Sequence, residues 1–92
     1  MVYAVVELDK SETEVIIRDD ILSRQSISIK DAPRFGGTSG RNYILIEGDN
    51  TILERLKELK MRPMLEKKAN GIREMIKKEE DEAAGGIGFL FG

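Results

Sequence analysis

The sequence predicts an α+β domain of two layers, in which a four- to five-stranded, mostly antiparallel sheet carries two consecutive helices on one face. Three observations predict it. Short β-branched or alternating runs at residues 2–8, 13–18, 26–30 and 42–47 have the spacing of strands. After Thr51 the apolar residues recur at helical spacing. The 92 residues contain no internal repeat and no low-complexity linker, so residues 1–92 are read as a single domain.

Residues 2–8 (VYAVVEL) and Thr13–Arg18 (TEVIIR) flank Asp9-Lys10-Ser11-Glu12, a pattern that reads as a β-hairpin. In SISIK, Ile27 and Ile29 alternate with Ser26 and Ser28, so one face is expected to be buried and the other wet. NYILIE at residues 42–47 is apolar on both sides, as is the first strand, and both are read as central strands covered on two faces. Thr51-x-x-Glu54 has capping-box spacing, and Ile52, Leu53, Leu56 and Leu59 form the stripe of a helix expected to end near Lys60. A second helix is expected from about Pro63, with Met64, Leu65, Ile72, Met75 and Ile76 on its apolar side and Asn70-Gly71 as its weak point; a strand over residues 62–67 is the alternative. Gly85-Gly86 ends that helix, and IGFLF reads as a last strand.

Composition removes whole classes of chemistry. There is no cysteine and no histidine, which excludes disulfides, thiolate nucleophiles, imidazole bases and His-ligated zinc. No catalytic motif, metal-ligand pattern or cofactor motif is present, so the expectation is a non-enzymatic protein without catalytic residues, metal or cofactor. The apolar start is broken at Glu7 and lacks a basic leader region, from which we expect a cytoplasmic protein without membrane association. The content of Lys, Glu and Ile, with 35% charged and 5% aromatic residues, has the leaning of thermophilic or archaeal proteins.

Three surfaces carry functional expectations. Arg34, Gly36, Gly37, Thr38, Ser39, Gly40 and Arg41 supply the glycines, hydroxyls and cations of an anion or nucleotide cradle, although the loop precedes a strand and lacks the order of a P-loop; its other reading is a connection between antiparallel strands. Between Arg55 and Lys78, nine basic residues face three acidic ones, and Lys57, Lys60, Arg62, Lys67, Lys68, Arg73, Lys77 and Lys78 form a candidate RNA-phosphate surface or a solvated helical face. Ile87, Phe89, Leu90 and Phe91 close the chain with side chains that are costly to leave in water, either as an internal strand or as a tail for a partner. The leading expectation is a protein-contact domain that forms a homodimer, with the anion module and the RNA accessory protein as alternatives.

Overall fold

The computed structural model describes the backbone of residues 2–91 and the side chains of residues 2–82. The order is β1 (Val2–Asp9), α1 (Lys10–Arg18), a 3₁₀ turn at Leu22–Arg24, β2 (Ser26–Asp31), a 3₁₀ turn at Ala32–Phe35, β3 (Arg41–Gly48), α2 (Thr51–Glu58) and α3 (Glu66–Phe91). The fold is α+β, with three strands in the order β1-β3-β2 and β3 antiparallel to both neighbours. Three strands replace the expected four or five for two reasons, one at each end of the chain. Residues 13–18 are helical, and the helix bounded by Glu66 and Phe91 includes the segment read as a last strand.

The first of these differences comes from Asp9. Its carboxylate accepts the Glu12 backbone N–H at 2.8 Å while the Glu12 carboxylate accepts the Asp9 N–H at 3.2 Å, a reciprocal capping box that starts α1 directly at the end of β1. Thr13 Oγ1 adds a bond to the Asp9 carbonyl at 2.7 Å. Thr13 and Ile16, three residues apart, are the positions that α1 buries. With α1 formed, the ladder partner of β1 is β3, in a register that runs from Val2 opposite Gly48 to Asp9 opposite Arg41.

Strand β3 is central and apolar on both faces, as its pattern predicts. Strand β1 is also covered on both faces but lies at one side of the sheet. On one face Ala4, Val6, Leu8, Ile44 and Ile46 pack with Ile16 of α1 and Ile52 and Leu56 of α2. On the other, Val5, Tyr43 and Leu45 pack with Ala69, Ile72 and Ile76 of α3. The arrangement is therefore three layers, with α1 and α2 on one side and α3 on the other, in place of two helices sharing one face.

The segment between α2 and α3 explains the change of side. Lys60 takes a left-handed conformation (φ 60°), Lys60 N–H bonds the Lys57 carbonyl at 3.0 Å and Met61 N–H bonds the Leu56 carbonyl at 2.9 Å; this is a Schellman stop with lysine where glycine is usual. The chain then runs outside β1, where Met64 N–H bonds the Val5 carbonyl at 2.8 Å, and Pro63 lies in this irregular stretch before α3 begins at Glu66. At the start of α2 the capping box expected of Thr51 and Glu54 is absent; Asp49 accepts the Thr51 N–H at 3.0 Å.

Candidate functional site

The glycine loop follows the short 3₁₀ turn made by Ala32–Phe35, and four of its backbone N–H groups are used within the protein. Gly36 N–H bonds the Pro33 carbonyl at 3.3 Å, Gly37 N–H the Ala32 carbonyl at 2.8 Å and Arg41 N–H the Thr38 carbonyl at 3.2 Å. Thr38 N–H donates to the Glu7 carboxylate at 3.1 Å, so the position of an anion in a nest is taken by a side chain of β1. Gly36 and Gly40 have φ of 86° and 81°, the left-handed turns that reverse the chain between β2 and β3. Gly37 answers a different need: a Cβ there would lie 2.5 Å from Tyr43 Oη and 2.7 Å from Ala32 Cβ.

Three of the predicted residues do converge. Arg34, Gly40 and Arg41 line a depression of about 530 Å³ together with Lys10, Asp31 and Asn42, whereas Gly36, Gly37, Thr38 and Ser39 do not line it. Lys10 is the cation of this depression that sequence reasoning missed. It is the first residue of α1, placed beside Arg41 because Asp9 pairs with Arg41 across the β1–β3 ladder; the Asp9-x-x-Glu12 spacing was the signal that could have found it. Two of the three cations have acidic neighbours. Arg34 Nη2 pairs with Glu79 at 2.9 Å, and Arg41 helps hold the Asp9 carboxyl below its ordinary range, after the larger effects of the Glu12 N–H and the Ser11 hydroxyl.

The basic helices do not form one surface. Lys57 belongs to α2 and Lys60 and Arg62 to the segment after it, while Lys67, Lys68, Arg73, Lys77 and Lys78 belong to α3 on the far side of the sheet. Two of the cations are engaged inward. Glu47, 7% exposed at the end of β3, accepts from Arg73 Nε at 3.1 Å and Nη2 at 3.0 Å and from Lys77 Nζ at 2.5 Å. Burial pushes the Glu47 carboxyl up, but the bonds and charges of Lys77 and Arg73 outweigh burial and hold it below its ordinary 4.5. Arg73 also lies over the Tyr3 ring, 4.8 Å from its centroid.

The side chains of Ile87, Phe89, Leu90 and Phe91 lie outside the described residues. No described helix is long and apolar enough to cross a membrane. Among the described residues, no group of three or more acidic side chains is placed to hold a metal ion.

Apolar side chains are also exposed along the two sides of the sheet. Val2, Tyr3, Ala4, Leu53, Pro63 and Met64 line a groove of about 360 Å³ beside β1, next to Leu65, which is 85% exposed. At the opposite side of the sheet, β2 is the outermost strand and its Ile29 side chain is 40% exposed. Comparison with protein-family models, with curated proteins and with solved structures finds no match.

Proposed function

We propose that this chain is a non-enzymatic, cytoplasmic α+β domain that works through protein contact and does so as a homodimer. The observation that supports the reading is the outer side of β2, where a six-residue strand ends the sheet without a neighbouring strand among the described residues and leaves Ile29 in water. A regular exposed edge of this kind is a template for another strand. Sedimentation at micromolar concentration is expected to give a dimer mass that falls toward the monomer on dilution. A monomer mass independent of concentration overturns the reading.

A second reading, an anion- or nucleotide-binding module, is supported by the convergence of Lys10, Arg34 and Arg41 on one depression. Since the loop N–H groups named above are occupied, the anion would be held by side-chain cations. Inorganic phosphate is then expected to shift the Gly40 and Arg41 amide resonances saturably, and Lys10→Ala with Arg41→Ala to abolish the shifts. Flat titrations into the millimolar range exclude it.

A further inference from the structure

Alternation along the ladders determines which backbone groups of β2 point out of the sheet. The Val5 carbonyl accepts from Met64, so the odd-numbered residues of β1 direct their N–H and C=O away from β3 and the even-numbered ones bond to it. On β3 the even positions therefore serve β1, and Tyr43, Leu45 and Glu47 serve β2. Their partners are Lys30, Ser28 and Ser26. This leaves the N–H and C=O groups of Ile27 and Ile29 directed outward, and among the described residues no turn, loop or cap bond reaches them.

Among the described residues, three usual protections of an edge are missing here: a proline, a bulge and an outward lysine. Residues 26–31 contain no proline, and the register opposite Glu47 to Asn42 is unbroken by a bulge. The strand's one lysine, Lys30, turns back to Glu79 at 3.5 Å and is only 22% exposed, so its charge does not guard the edge.

We propose that two copies of this chain join antiparallel through β2 about a two-fold axis at Ser28, making one continuous six-stranded sheet. The inference rests on the homodimer reading and names its contact. Self-complementarity selects a second copy as the occupant. With the axis at Ser28, Ile27 of each copy faces Ile29 of the other, the two pairs exchange four backbone hydrogen bonds, and Lys30 faces Ser26, so that no two like-charged residues of the strands themselves stand opposite each other. The neighbouring registers that keep the outward groups in phase place Ile27 opposite Asp31, or Ile29 opposite Gln25, and lose this match.

Amide exchange of the full chain, followed by NMR above and below the dimer midpoint, tests the contact. The Ile27 and Ile29 amides are expected to slow by about tenfold or more in the dimer, while Ser28, bonded to β3 in both states, changes little. Ile29→Pro removes an outward N–H that the internal ladder does not use, so the variant is expected to keep its circular dichroism and sediment as a monomer. Ile29→Lys retains the N–H and sets a charge opposite the partner's apolar strand; it too is expected to be monomeric, and it serves if the proline variant does not fold. A dimer mass retained by Ile29→Lys, or fast Ile27 and Ile29 amides in a sample that sediments as a dimer, overturns the β2 contact and leaves the homodimer reading standing. A concentration-independent monomer overturns both.

Discussion

Gly37 and Gly71 lack a side chain for opposite reasons. At Gly37 an added methyl meets the Tyr43 ring and Ala32, both buried and backed by the core, so neither can withdraw without moving its neighbours. Gly37→Ala is therefore expected to destabilise the fold by about 1–3 kcal/mol, as overpacking does. Gly71 lies inside α3, and an added methyl there meets nothing within 4 Å. Gly71→Ala is expected to stabilise by about 0.5–1 kcal/mol, because alanine restricts the unfolded chain and favours the helix. Thermal melts of the two variants should shift in opposite directions, by about 4 °C or more for each kcal/mol in a chain of this size. Two glycines of one sequence look alike on the page; only the packing around them separates a required absence from a tolerated one.

Among the elements, β3 was the most legible and α1 the least. A strand apolar on both sides has little alternative to a central position between two layers, and Tyr43 to Ile46 are all buried as that pattern requires. In α1 the consecutive Val15, Ile16 and Ile17 carry strand propensity, which a locally satisfied helix start overrode. The decisive signal was the Asp9-x-x-Glu12 spacing, present in the sequence and read there as a turn. Asp9→Ala is accordingly expected to lower the urea midpoint, while Asp9→Asn, which keeps a cap acceptor, recovers most of the loss. The helix α2 was expected to end near Lys60, as it does, but lysine at a left-handed position looks like any solvated lysine, so the turn the chain takes there was not legible. Without that turn the second helix was placed on the wrong face. The charge cluster at Glu47 was equally hidden, since its partners lie 26 and 30 residues further along the chain and on another layer. At the depression beside the glycine loop, Arg34 and Arg41 were legible as cations in a loop, but Lys10 joined them only through the β1–β3 register.

Across the whole molecule, two buried carboxylates tie elements together, one between layers and one within a layer. Glu47 binds α3 to the sheet through Arg73 and Lys77, and Asp19, 7% exposed after α1, accepts from Arg55 of α2 at 2.6 and 2.8 Å and from the Leu22 N–H at 2.9 Å. The Arg55 bond is the main reason the Asp19 carboxyl lies below its ordinary 3.8, outweighing the opposing effect of burial. Both groups have folded-state pKa values depressed below those of the unfolded chain, so the unfolded state binds protons more readily as pH falls. The stability they contribute is fully present above the unfolded values and is lost as pH drops through the folded ones. With no histidine in the chain, no side chain of that type titrates between pH 5 and 8. Urea midpoints are therefore expected to stay level from about pH 8 to pH 5.5 and to fall steeply below about pH 4.5. Glu47→Gln and Asp19→Asn should each be less stable at neutral pH by about 1–3 kcal/mol, through loss of charge-assisted bonds. They should also show a shallower acid limb, so that each converges on the parent as pH falls. A constant offset from pH 8 to pH 3 would mean that the carboxylates act only by packing and not by charge.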